Sequence, residues 1–79
     1  MRRMQLCRLE EENTRRILNK YQANSQADRL TDIRLYMDYR FGSFSAVELA
    51  SQEHLSRYTV YRKIRRVNDF LLEQCGDNI

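Results

Sequence analysis

The sequence predicts an all-α protein, and two observations support that prediction. The chain of 79 residues contains no proline and only two glycines, so it has few of the residues that form turns. Its apolar residues recur at spacings of three and four, as along one face of a helix, and short β-branched runs broken by turn residues are absent. We therefore expect a small bundle of four to five helices. One domain, residues 1–79, accommodates them.

The first helix is predicted over residues 3–21. Its ends are apolar, but its middle, EEENTRR over residues 10–16, is wholly polar. This gap interrupts any heptad repeat, which argues against a regular coiled coil. The polar stretch either bridges solvent or leaves the helix to pack through its two ends.

The second helix is predicted over residues 27–40. Its core stripe is expected at spacings of 3, 4 and 4, on Leu30, Ile33, Met37 and Phe41. Leu35, Tyr36 and Tyr39 lie off that stripe, so the helix needs a second partner, either the N-terminal helix or another chain. Residues 1–40 would then form a helical hairpin that serves packing or dimerisation. Gly42 suits the left-handed cap that ends many helices.

Residues 45–67, SAVELASQEHLSRYTVYRKIRRV, contain the clearest local signals, and the second part of the domain is placed over residues 44–75. Ser45, followed three residues later by Glu48, forms a predicted capping box. The short helix after it ends near His54, a residue type that enters the left-handed region more readily than most. The apolar residues of this helix are Val47, Leu49 and Ala50, and the turn after it adds Leu55.

A long last helix is predicted over residues 57–74, with Ser56 as its N-cap. Its apolar stripe consists of Val60, Ile64, Val67 and Leu71. The opposite face, at about 100° per residue, consists of Tyr58, Arg62, Arg65 and Asp69, flanked by Tyr61 and Arg66. Five basic residues and no acidic one lie between residues 57 and 66. An exposed basic helix with tyrosines suits the major groove of DNA.

Residues 50–64 resemble the helix-turn-helix of bacterial and phage transcriptional regulators. The run S-R-x-T-V-Y-R-x-I begins at Ser56 and ends at Ile64, after a small residue, Ala50, and a turn in which His54 stands where glycine is usual. The resemblance implies that Ala50 allows the helices to cross closely. It also implies DNA contacts by Ser56, Arg57, Tyr58, Tyr61, Arg62 and Arg65. Residues 35–50, LYMDYRFGSFSAVELA, are more loosely similar to the entry into sigma factor region 4-like domains of small phage regulators.

We therefore expect a sequence-specific transcriptional regulator that binds double-stranded DNA and reads the major groove with residues 57–74. Its predicted DNA-binding residues are Ser45, Ser56, Arg57, Tyr58, Thr59, Tyr61, Arg62, Arg65 and Arg66. We expect a homodimer, because one short recognition helix rarely specifies a long site and the chain carries spare apolar surface. Two other interpretations also stay open. In the first, the basic face is an ordinary solvated surface. In the second, the protein is an interaction module of the same fold that binds RNA polymerase, a sigma factor or a phage recombination or packaging protein, with Tyr36 and Tyr39 as exposed contacts.

Composition argues against other classes. The single histidine and two cysteines near opposite ends, Cys7 and Cys75, offer neither an activated nucleophile nor zinc-ligand spacing, so we expect no enzyme and no cofactor. Free thiols fit a reducing cytoplasm. No apolar run approaches the roughly 20 residues of a membrane span, and no signal peptide is recognisable. The sequence therefore predicts a cytoplasmic protein that does not contact a membrane.

Overall fold

The computed structural model describes residues 4–75, and within that range the chain forms four α-helices. These are α1 (Glu11–Leu18), α2 (Gln26–Phe41), α3 (Ala46–Glu53) and α4 (Arg57–Cys75). The part of the chain that the structure describes contains no strand, so the predicted all-α class is confirmed. The helices pack as a small bundle in which α4 contacts each of the other three.

The predicted apolar stripe of α4 forms the centre of the core. Val60, Ile64, Val67 and Leu71 are completely buried. Side chains from α1, α2 and α3 pack around them, including Leu18, Leu35 and Leu49. Because one helix supplies the middle of the core, the position of its outward face is set by contacts on its opposite side.

The prediction of a first helix over residues 3–21 is wrong, because α1 covers only Glu11–Leu18. Residues 4–10 are non-helical, and the backbone groups of Gln5 and Cys7 are hydrogen-bonded to α4 instead. The amide of Cys7 donates to Asn68 Oδ1 at 2.9 Å, and Asn68 Nδ2 donates to the carbonyl oxygen of Gln5 at 2.7 Å. Cys7 is itself buried. The side-chain amide of Asn68 therefore supplies hydrogen bonds that a longer first helix would have made internally.

Arg29 of α2 satisfies the carbonyl groups at the end of α1. Its Nε donates to the carbonyl oxygen of Tyr21 at 2.7 Å, and its Nη2 donates to those of Leu18 and Asn19, each at 3.1 Å. The last carbonyls of a helix have no partner within the helix. A cation that bonds to them also interacts favourably with the helix dipole, so α1 ends at Leu18.

The predicted core stripe of α2 is wrong at its first position. Leu30 is 53% exposed, whereas Leu35 and Tyr36 are completely buried. Tyr36 is therefore not an exposed contact for a partner. The buried face of α2 also includes Met37, which belonged to the predicted stripe, and the carboxylate of Asp32. Packing against both α1 and α4 rotates the inward face toward Asp32, and that rotation is tolerated because the carboxylate has charged partners.

Gly42 does not adopt the left-handed conformation predicted for it. Its φ is −95°, and the left-handed residue is the next one, Ser43, at φ 63°. The glycine is instead required by space, because a Cβ atom here would lie 2.9 Å from the carbonyl oxygen of Asp38. That carbonyl accepts from the amide of Gly42 at 3.0 Å. The chain then turns through Phe44 into α3.

Candidate nucleic-acid interface

The capping box predicted at the start of α3 is confirmed. Ser45 Oγ accepts a hydrogen bond from the amide of Glu48 at 3.1 Å, and the amide of Ser45 donates to Glu48 Oε1 at 2.9 Å. These bonds to Ser45 lower the pKa of the Glu48 carboxyl below its ordinary value. They fix where α3 begins, and they place Ser45, one of the predicted DNA-binding residues, at the N-terminus of that helix.

The turn between α3 and α4 has the predicted left-handed residue. His54 has φ 57° and ψ 40°, and the amide of Leu55 donates to the carbonyl oxygen of Ala50 at 2.9 Å. Ala50 is buried, as the close crossing of two helices requires. Of the four apolar positions identified here from sequence, Val47 lies outside the core, since it is 56% exposed. Ala46 is buried in its place, because positions 46, 49 and 50 form one face of a two-turn helix.

Ser56 is the N-cap of α4, as predicted. Its Oγ accepts from the amide of Thr59 at 3.1 Å and donates to Thr59 Oγ1 at 3.0 Å. The two hydroxyl groups are therefore engaged with each other. Because this pair fixes the first turn of α4, it also sets the direction in which Arg57 and Tyr58 leave the protein surface.

The outward face of the first half of α4 is basic and aromatic. Tyr58 is 75% exposed and Tyr61 is 45% exposed. The ring of Tyr61 packs edge-on against Tyr39 of α2, with centroids 6.3 Å apart and the planes at 77°. Three arginines are exposed on this part of the helix and form no ion pair with any other described residue, namely Arg57, Arg62 and Arg65. We call Arg57, Tyr58, Tyr61, Arg62 and Arg65 the α4 face.

The other two basic residues of this stretch, Lys63 and Arg66, lie beside a buried carboxylate. Asp32 of α2 is completely buried, and its Oδ1 accepts from Lys63 Nζ at 3.0 Å. Arg66 Nη1 lies 3.7 Å from Asp32 Oδ2, which also accepts from the hydroxyl of Tyr21 at 2.7 Å. Burial, and then the hydrogen bond to Asp32, raise the pKa of the Tyr21 phenol. We call Asp32, Tyr21, Lys63 and Arg66 the Asp32 cluster.

Sequence reasoning did not identify the Asp32 cluster. Asp32 and Lys63 are 31 positions apart, and their ion pair joins α2 to α4. The only local signal is an acidic residue one turn before Leu35 and Tyr36 on the face that turns inward. Periodicity predicted that this side of α2 needs a partner, but it did not indicate that Asp32 turns inward with it. The cluster therefore divides the basic residues of α4 into three that face outward and two that contact Asp32.

The described residues supply little for other kinds of site. In the described range, no group of three or more His, Cys, Asp or Glu side chains is arranged to hold a metal ion. Within residues 4–75, no helix has the length and apolar character needed to span a membrane. Cys7 and Cys75 are both free thiols.

Comparisons of the chain with protein-family models, with curated proteins and with solved structures gave no match.

Proposed function

We propose that this protein is a sequence-specific DNA-binding transcriptional regulator of the helix-turn-helix class, acting in the cytoplasm on double-stranded DNA. The observation that supports the proposal best is the α4 face, where three arginines without ion-pair partners among the described residues surround two exposed tyrosines. Guanidinium groups bind guanine edges and phosphates, and tyrosines contact bases or backbone. The same helix is fixed to the core along its opposite side.

The helix pair has dimensions that suit the groove. α3 has 8 residues, and residues 54–56 separate it from α4. The basic stretch of residues 57–66 is about 15 Å long at a rise of 1.5 Å per residue. A major groove about 12 Å wide admits a helix of this kind. Arg62 and Arg65 would contact base edges or phosphates at its centre, with Arg57, Tyr58 and Tyr61 at the leading end.

Contact is limited to the first half of α4. Asp69 and Glu73 are exposed further along the helix, on the side that continues the α4 face. Carboxylates in these positions repel phosphates, so the helix must leave the groove before residue 69. Ser45, Ser56 and Thr59 support the interface by capping the two helices. Arg66 is left out of the proposed contact surface because its guanidinium lies against Asp32.

The proposal is tested by fluorescence anisotropy with a labelled random-sequence duplex at low and moderate salt. We expect binding that weakens steeply with salt, because released counterions drive phosphate contacts. Arg62→Ala should weaken binding by roughly 1–3 kcal/mol. The matched control is Arg16→Ala, which removes the same charge from an exposed position on α1 and should change binding little. No binding at low salt, or equal losses in both variants, would contradict the proposal.

The second candidate is a protein-interaction module for RNA polymerase, a sigma factor or a phage recombination or packaging protein. It is favoured by the exposure of Leu30 and Val47, each more than half exposed, together with Tyr58. Apolar contacts lack the steep salt dependence of phosphate contacts. Capture of RNA polymerase that persists at high salt, without duplex binding at low salt, would support this candidate.

A further inference from the structure

We propose that Asp32 keeps Arg66 away from DNA and so sets how many cations α4 offers to phosphate. This inference rests on the proposed function, since it concerns the same helix. According to this inference, Asp32 is a positioning residue that acts through Arg66 and does not contact nucleic acid. DNA binding then uses Arg57, Arg62 and Arg65, while Arg66 stays paired with the protein.

The position of Arg66 makes the inference specific. On α4 it lies one turn after Arg62, so its guanidinium would reach the edge of the α4 face if it were released. Its side chain is 41% exposed, compared with 14% for Lys63. Arg66 is thus the member of the Asp32 cluster that borders solvent. Lys63 lies too deep to turn outward without losing its hydrogen bond to Asp32.

The charge of Asp32 gives the physical reason. A carboxylate with no exposure to water is stable as an ion only when opposite charges and hydrogen bonds surround it. Asp32 has two cations and one phenol hydroxyl around it. A phosphate that took Arg66 would have to replace part of this compensation. Because Asp32 is buried, its ion pair with Arg66 is also screened by salt less than a pair of fully exposed charges, so Arg66 remains with Asp32.

The test compares the salt dependence of duplex binding in four proteins: the wild type, Asp32→Asn, Arg66→Gln and the double variant. Asparagine is isosteric and retains an acceptor for the Tyr21 hydroxyl. We expect Asp32→Asn to steepen the slope of log affinity against log salt by about 0.9, the contribution of one extra phosphate contact. Arg66→Gln should leave the wild-type slope unchanged. The double variant should return to that slope.

A purely structural role for Asp32 would give a different result. In that case the folded fraction, which circular dichroism measures at each salt concentration, accounts for the loss of binding, and the slope corrected for that fraction stays the same. If Asp32→Asn does not fold, Arg66→Gln alone still tests the inference. A slope flatter by about 0.9 than that of the wild type would show that Arg66 already contacts phosphate in the wild type. That result, or an unchanged slope in folded Asp32→Asn, overturns the inference alone. Absence of duplex binding by the wild type overturns the proposed function and the inference with it.

Discussion

At the scale of single residues, Asn68 shows how one polar side chain organises distant segments. It is buried in α4, where its Oδ1 accepts from the amide of Cys7 and from the hydroxyl of Tyr36, at 2.9 and 3.2 Å. Its Nδ2 donates to the carbonyl oxygen of Gln5. Every buried polar side-chain atom in the described residues has a partner. A network of this kind specifies one arrangement of the N-terminal segment.

Replacement of Asn68 by alanine should lower the free energy of unfolding by about 2–4 kcal/mol, because it leaves the buried amide of Cys7 and the partly buried carbonyl of Gln5 without their partner. Urea denaturation followed by circular dichroism measures the change. Gln74→Ala is the control, since Gln74 is exposed on the same helix, and its effect should stay within about 0.5 kcal/mol. A similar small effect in Asn68→Ala would contradict the role assigned to this side chain.

The capping box at Ser45 predicts a pH dependence. The pKa of Glu48 is lowered from 4.5 by its bonds to Ser45, so the native state prefers the charged carboxylate more than the unfolded chain does. This contribution is therefore complete above pH 4.5 and is lost as the pH falls through the lower native pKa. Unfolding of the wild type and of Glu48→Gln, compared from above to well below pH 4.5, should show the wild type losing more stability. Parallel losses in the two proteins would contradict this reasoning.

At the scale of elements, what could be predicted depended on whether the signal was local. The capping box, the left-handed His54 and the stripe of α4 depend on neighbouring residues, and all were predicted correctly. The length of α1 was not, because the partner of residues 5–7 is Asn68. The inward face of α2 was also missed at Leu30, since it is set by packing against α1 and α4 and includes Asp32, whose partner Lys63 is distant in the sequence.

Two leucines of α2 test the observed rotation of that helix. Leu35 is completely buried, so Leu35→Ala should lower the free energy of unfolding by about 2–5 kcal/mol through lost burial and the cavity left behind. Leu30 is 53% exposed, so Leu30→Ala should change it by less than about 1 kcal/mol. The substitution and the helix are the same in both variants, which makes each a control for the other. A larger loss of stability in Leu30→Ala than in Leu35→Ala would contradict the observed rotation and would favour the stripe predicted from sequence.

At the scale of the whole molecule, the proposed function depends on which charged side chains have no ion-pair partner among the described residues. The net charge is only +3, and several cationic side chains form hydrogen bonds or ion pairs with other groups of the protein. Arg29 bonds to the end of α1, Arg34 pairs with Glu53, and Lys63 pairs with Asp32. The α4 face is thus a local concentration of cations on a weakly charged protein. Its position could be predicted from helical periodicity, but the separation of Arg66 from it depends on the tertiary fold.

The α4 face has only three cations, and this number predicts how steeply DNA binding depends on salt for one or for two chains per duplex. Three phosphate contacts per chain, from Arg57, Arg62 and Arg65, correspond to a slope of about −2.7 for log affinity against log salt. Two chains on one duplex would double this to about −5.4, because each inserts its own recognition helix. Anisotropy titrations over a range of salt give the slope, and sedimentation equilibrium of protein with a short duplex gives the stoichiometry. A slope near the smaller value with one chain per duplex would contradict a homodimer as the DNA-binding form. A slope steeper than the larger value, with two chains per duplex, would mean that cations outside the α4 face also contact DNA.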